Sequence, residues 1–229
     1  ETLYYIFTTQ EIYGTGAFEL RYSLFDLKAD NGLGGNGDIV QKAVPLFSNS
    51  TERITGNDNW LIAHEFGTNS FRAYRVTAQG ISTPVISSVG SDHQVTIQQH
   101  AEGYMKLGSF NRIGVALHTP GISNVVEVFD FIDSTGVVSN FRTADCNTIT
   151  GEVYGLEFSP GGNKLFATLN GAVSRLVEFS IDSLGNPYLK STFPPVPNQL
   201  GAIQTAPDGQ VYVAVEGQQF LGVIAPVED

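Results

Sequence analysis

The stretch Tyr154-Gly155-Leu156-Glu157-Phe158-Ser159-Pro160-Gly161-Gly162-Asn163-Lys164-Leu165-Phe166-Ala167 decides the fold. It reads as strand, tight turn, strand. The apolar run ends in Phe158, Pro160 fixes φ, and Gly161-Gly162 supply the positive φ that hairpin turns need. The segment Lys164 to Leu169 mixes aromatic, aliphatic and β-branched side chains, which suits a pleated, half-buried surface.

Weaker copies of this hairpin recur. The first apolar residue after each turn is Trp60, Ile113, Leu165 and Val211, at intervals of 53, 52 and 46 residues, and Tyr4 lies 56 residues before Trp60. A period of roughly 40 to 50 residues, each filled by short strands, is the signature of a β-propeller blade. No stretch of a dozen residues holds a 3.6-residue apolar period, so helices are expected to be scarce. The expected fold class is therefore all-β: a β-propeller of four-stranded antiparallel blades, with about five blades or partial blades present. The blades are placed at 1-50 (partial), 51-98, 99-148, 149-198 and 199-229 (partial). The first and last rounds show three strands each, so the 229 residues read as one propeller fragment.

Composition narrows the function classes. The net charge of −11 disfavours nucleic acid, whose phosphates need a basic surface. No run approaches the eighteen or so apolar residues of a membrane-spanning helix, so no membrane insertion is expected. Cys146 is the one cysteine, which rules out a disulfide within the chain.

Candidate chemistry is sparse. His64-Glu65 pairs a possible base with a carboxylate, yet neighbours in a strand point to opposite faces and cannot act together. His93, His100 and Glu102, with His118 further on, match no standard zinc spacing. Asp30, Asn31, Asn36 and Asp38 form an oxygen-rich loop without the closing Glu of an EF-hand. Gly32, Gly34, Gly35 and Gly37 lack the Lys-Ser/Thr of a phosphate loop. Cys146 has no nearby His and reads as an inert thiol. Tyr13, Asn57, Asn59, Gln98, Gln99, Gln218 and Gln219 could stack on and hydrogen-bond to sugars, although such residues also serve as ordinary loop polar groups. No catalytic residue, metal site or cofactor is expected, and the binding residues are left open.

The blade motifs also carry a resemblance. Tyr154 to Pro160 with Lys164-Leu165-Phe166, and Gly201-Ala202-Ile203-Gln204 with Ala206-Pro207-Asp208-Gly209-Gln210-Val211-Tyr212-Val213-Ala214, look like successive blades of a WD40-like propeller. Tyr22-Ser23-Leu24-Phe25-Asp26-Leu27, Thr51-Glu52-Arg53-Ile54, Trp60 with His64-Glu65, and Leu221-Gly222-Val223-Ile224 follow in the same order. The set resembles the propellers of large Bacteroidetes surface proteins that often end in a gliding-motility-associated, type IX secretion sorting domain. Gly161 departs from the pattern, standing where such turns usually carry Asp. The resemblance implies a propeller of roughly seven blades, of which this chain is a piece, and an extracellular or cell-surface location. It also implies a non-catalytic interaction or scaffold role in gliding motility, adhesion or type IX secretion, with a protein or glycan ligand and further blades or domains of the parent protein as partners. The alternative is a propeller enzyme, lactonase-like or acting on glycans.

Overall fold

The computed structural model describes residues 2–10, 18–32, 36–93, 102–119, 123–146, 149 and 151–224. It is all-β. Five antiparallel sheets follow one another along the chain. The first holds β1 (Leu3–Thr9), β2 (Leu20–Asp30) and β3 (Asn36–Phe47). The second holds β4 (Ser50–Gly56), β5 (Trp60–Glu65), β6 (Ser70–Thr77), the two-residue β7 (Gly80–Ile81) and β8 (Val85–Ser88), with β8 paired to β6. The third holds β9 (Met105–Gly108), β10 (Arg112–Thr119), β11 (Ser123–Ile132) and β12 (Val137–Asp145). The fourth runs β13 (Glu152–Phe158), β14 (Lys164–Asn170), β15 (Arg175–Ile181), β16 (Pro187–Thr192), and the fifth β17 (Leu200–Thr205), β18 (Val211–Val215), β19 (Leu221–Ile224). Among the described residues the first and last sheets have three strands.

Successive sheets stack as propeller blades. The first strands β4, β9, β13 and β17 contact one another in order, which puts them on the inner side of the arc. Strand alternation explains how each blade serves two neighbours. In β5, Leu61 and Ala63 pack on Leu20 and Phe7 of the first blade, while Trp60 and Ile62 pack on Met105, Ile113 and Phe129 of the third. Val126, Val128 and Cys146 meet Leu156, Phe158, Leu165 and Phe179 at the next seam, and Phe166 meets Ile203, Val211 and Val213 at the last. Burying each Leu, Ile or Phe in these seams stabilises by about 1.5–3 kcal/mol.

The turns follow the sequence chemistry. Gly162 sits at φ 72° and donates its N–H to the Ser159 carbonyl at 2.9 Å, closing the Pro-Gly-Gly turn. The equivalent turn of the third blade lacks glycine; a short 3₁₀ turn at Ser109–Asn111 does the work, with Phe110 and Asn111 at φ 58° and 53°. Gly108, just before it, lies flat under the Phe158 ring, where a Cβ would overlap the ring. Gly108→Ala is therefore expected to lower stability by about 1–3 kcal/mol, the usual cost of forcing an extra methyl into a filled seam, read from a urea melt.

Two segments differ from the sequence reading. Ser50 to Gly56 forms the inner strand β4 although its composition is polar, and the loop read from Asp30 to Asp38 is strand at both its ends, because β2 runs on to Asp30 and β3 starts at Asn36. No helix among the described residues is long and apolar enough to cross a membrane.

Candidate functional site

The inner strands build a small mouth of about 320 Å³, walled by Thr9, Glu52, Arg53, Ile54, Gly103, Tyr104, Met105 and Tyr154. Two tyrosines dominate it. Their rings meet edge to face, 5.6 Å between centroids at 71°, a favoured geometry for aromatic pairs. Local backbone irregularities aim them. The β13–β14 register shifts between Val153 and Leu156, and such a bulge re-aims the side chain it carries; here that residue is Tyr154. Gly155 completes the bulge, its N–H bonded to Thr168 Oγ1 at 2.8 Å, while the same hydroxyl donates to the Gly201 carbonyl at 3.1 Å. Gly103, at φ 102°, turns the chain into Tyr104, whose N–H bonds the Tyr154 carbonyl at 3.1 Å. Burial, followed by Tyr104, Glu52 and Glu102, pushes the Tyr154 phenol above its ordinary value, so it stays a neutral donor.

Behind the mouth lies a buried polar cluster at the seam of the second and third blades. Arg53 is fully buried. Its Nε donates to the Ala116 carbonyl at 3.1 Å, its Nη2 to the Glu102 carbonyl, and its Nη1 contacts His93 Nδ1 at 3.4 Å. A guanidinium can only donate. His93 Nδ1 therefore accepts, and its proton sits on Nε2, which faces Glu127 Oε2 at 3.2 Å. The His93 ring stacks on His64, 3.6 Å between centroids, and His64 meets Phe71 edge to face. Burial, and then neighbouring positive charge, hold both histidines well below the ordinary imidazole range. Burial also pushes Glu127 up and lowers Arg53 to about 10.

The sequence candidates divide cleanly. His64 points into the cluster, while Glu65 points away and pairs with Arg72 at 2.7 Å, as strand alternation requires. His93 joins His64, and Glu102 joins through its carbonyl. His100 lies outside the described residues. His118 falls in β10. In the Asp30 region the oxygens are spent on the turn: Asp30 Oδ1 accepts from Gly32 N–H at 2.8 Å and Asp38 Oδ1 from Ile39 N–H at 2.7 Å. Gly37 belongs to β3 and makes room for the Phe25 ring; Gly34 and Gly35 lie outside the described residues. Cys146 is buried in the third seam. Asn57 uses its side-chain oxygen on the Asn59 and Trp60 N–H groups and its amide on Asp133. It shares with Asn59 the wall of a larger cavity, about 630 Å³, between β1 and the second blade. Gln218 and Gln219 are exposed on the fifth blade, away from both cavities, and Tyr13, Gln98 and Gln99 are outside the described residues. Among the described residues no three His, Cys, Asp or Glu side chains converge as metal ligands.

Sequence reasoning did not single out Arg53, Glu127, Tyr104 or Tyr154 for a role. The repeat offered a signal for the tyrosines: they are 50 residues apart, one just before β9 and the other near the start of β13.

These features define a WD40-like β-propeller fold. No protein-family model matches the chain, and no curated protein sequence does. Solved structures do. The periplasmic gluconolactonase of Pseudomonas aeruginosa aligns with a TM-score of 0.62 at 16% identity, over 97% of this chain and 67% of its own. A putative 6-phosphogluconolactonase from Bacteroides uniformis aligns at 0.57 and 14%, over 98% and 67%. The β-propeller domain of Cps50 (Swd1) from Myceliophteria thermophila aligns at 0.57 and 12%, over 86% and 60%. The chain thus spans about two thirds of the length of these propellers, and at such identities the likeness is one of fold.

Proposed function

We propose that this chain is a non-catalytic recognition module whose axial mouth holds a neutral, hydroxyl-rich ligand, a glycan in the first instance. The observation that carries the reading is the Tyr104–Tyr154 pair set beside Glu52 in the wall of the mouth. Two aromatic faces with a neutral phenol donor and a carboxylate acceptor suit stacking and hydroxyl recognition together. That carboxylate and the net charge of −11 work against a phosphorylated ligand. The histidines that could act as bases are stacked inside the seam behind the mouth. In this proposal the module belongs to a larger surface or secreted protein with gliding, adhesion or type IX secretion roles, and the ring is completed to about seven blades.

A glycan array followed by calorimetry tests the reading. Tyr104→Ala and Tyr154→Ala are each expected to weaken binding about tenfold, equivalent to ~1.4 kcal/mol for one lost ring, with the unfolding midpoint little changed. Absence of any glycan binding overturns it.

The lactonase names of two fold neighbours, together with the carboxylate at the mouth, favour a second reading: a lactone-hydrolysing propeller with Glu52 activating water. Turnover of gluconolactone that disappears in Glu52→Gln would establish it in place of the first.

A further inference from the structure

The mouth and the buried cluster share one side chain. Arg53 stands in the wall of the mouth and reaches from there to His93. On the way it pins the backbone that carries Tyr104. Its Nη2 donates to the Glu102 carbonyl and its Nε to the Ala116 carbonyl at 3.1 Å. The Ala116 N–H in turn donates to the Tyr104 carbonyl at 2.9 Å, and the Tyr104 N–H to the Tyr154 carbonyl at 3.1 Å. A Cβ on Gly103 would touch the Ala116 and Tyr154 carbonyls, so the segment is closely seated. Glu102 to Tyr104 is thus held on one side by a guanidinium and on the other by the strand that carries the second tyrosine.

The far end of that guanidinium rests on a titratable acceptor. Nη1 lies 3.4 Å from His93 Nδ1, and an arginine offers only donors, so the contact exists only while Nδ1 keeps its lone pair. The stack has no good place for an added proton. His93 Nε2 already faces Glu127 Oε2, and among the described residues no carboxylate bonds either ring nitrogen of His64, stacked 3.6 Å away. His64, His93 and Glu127 are all fully buried. The groups facing the pair are Arg53 from β4 and Glu127 from β11, itself hydrogen-bonded by Ser91, while Glu52 and Glu102 act on Arg53. One carboxyl therefore stands against one fixed cation. A proton on either imidazole puts a second cation beside the first, out of water.

We propose that the mouth is released by acid, with Arg53 carrying the signal from the histidine stack to Tyr104. A proton from solvent takes the Nδ1 lone pair of His93. The guanidinium leaves His93 and with it the carbonyls of Glu102 and Ala116, and Tyr104 parts from Tyr154. A ligand held between the tyrosines is kept at neutral pH and let go at acid pH. Burial, and then neighbouring positive charge, keep both histidines neutral in the closed arrangement. Opening returns them to water, where imidazoles take up protons near pH 6.5, so opening is favoured as pH falls below about 6.5. Glu127, raised by burial, works in the opposite sense, one group against two. This regulation rests on the recognition reading for its ligand, but its test follows the tyrosines of the chain alone, so a blank glycan array and a failed switch are separate results.

The test follows nuclear Overhauser contacts between tyrosine rings from about pH 7 to about pH 4, with far-ultraviolet circular dichroism on the same samples. The Tyr104–Tyr154 contact is expected to be lost, and the Tyr104 and Ala116 amide signals to shift, at a pH where the circular dichroism is still native. The Tyr5–Tyr22 pair of the first blade, 5.6 Å between centroids, serves as the control and is expected to persist there. His93→Gln offers Arg53 an acceptor and Glu127 a donor but takes up no proton. It is expected to hold the Tyr104–Tyr154 contact to a pH lower by about one unit or more. A contact that persists in the parent until the circular dichroism collapses overturns the proposal, whether or not the variant folds. So does loss of the contact at the same pH in the parent and in His93→Gln.

Discussion

Replacing Arg53 with methionine is expected to lower the unfolding free energy by about 3–5 kcal/mol, the cost of removing one partner from a buried charged network. Methionine fills much of the volume of the stem, so packing is largely kept. The loss comes from what the guanidinium leaves behind: the carbonyls of Ala116 and Glu102, the Nδ1 of His93 and the carboxyl of Glu127, with Ala116, His93 and Glu127 themselves fully buried. Arg53→Lys keeps the charge but not the fork and is expected to fall between the two. Urea unfolding checks this through the midpoint at constant slope. A methionine variant within 1 kcal/mol of the parent would show that the network is replaceable by apolar packing, as some buried ion clusters are.

Acid is expected to act on the same cluster. His64 and His93 stay neutral in the folded chain well below the pH at which imidazoles in the unfolded chain take up protons, about 6.5. Below that pH the unfolded state binds more protons. Stability then falls as pH falls, by up to about 1.4 kcal/mol per unit for each histidine. Glu127 acts in the opposite sense: burial raises it, so it keeps a proton in the folded chain where the unfolded chain has lost one, and its contribution is lost as pH rises through the folded value. Two groups against one leave a net loss between pH 6.5 and 5. His64→Phe, which keeps an aromatic surface against Phe71 and His93, is expected to remove about half of the histidine dependence. Urea melts across that range provide the measurement, and a flat profile for the parent would contradict the assignment of two neutral histidines.

How much of this was legible in the sequence depends on the kind of order each residue carries. The hairpins at Trp60, Ile113, Leu165 and Val211 announce themselves because apolar alternation and turn-forming residues are local signals. β4 does not. Thr51 and Arg53 are buried by hydrogen bonding instead of hydrophobicity, so a polar string conceals an inner strand. Glu127 sits inside the apolar run of β11, and its partner His93 is 34 residues away, while Arg53 and His93 are 40 apart. Only the stacking of one blade on the next brings them together. The opposed directions of His64 and Glu65 were readable, since they follow from strand geometry alone. The resemblance to WD40-like propellers anticipated the fold; the shape of the mouth comes from the bulge at Tyr154 and the turn at Gly103, which no pattern of residue types reveals.

The single tryptophan has a consequence for how the molecule can be watched. The Trp60 indole packs against the third blade: its N–H donates to the Asp133 carbonyl at 2.9 Å, Phe131 meets its ring edge to face, and Gly136 packs flat against it. Its emission therefore reports when the second and third blades part, and says nothing directly of the other three seams. Circular dichroism averages over every strand. Coincident transitions in the two signals would make the arc one cooperative body, and an earlier change in emission would mark this seam, with its buried ions, as the place where the stack first opens.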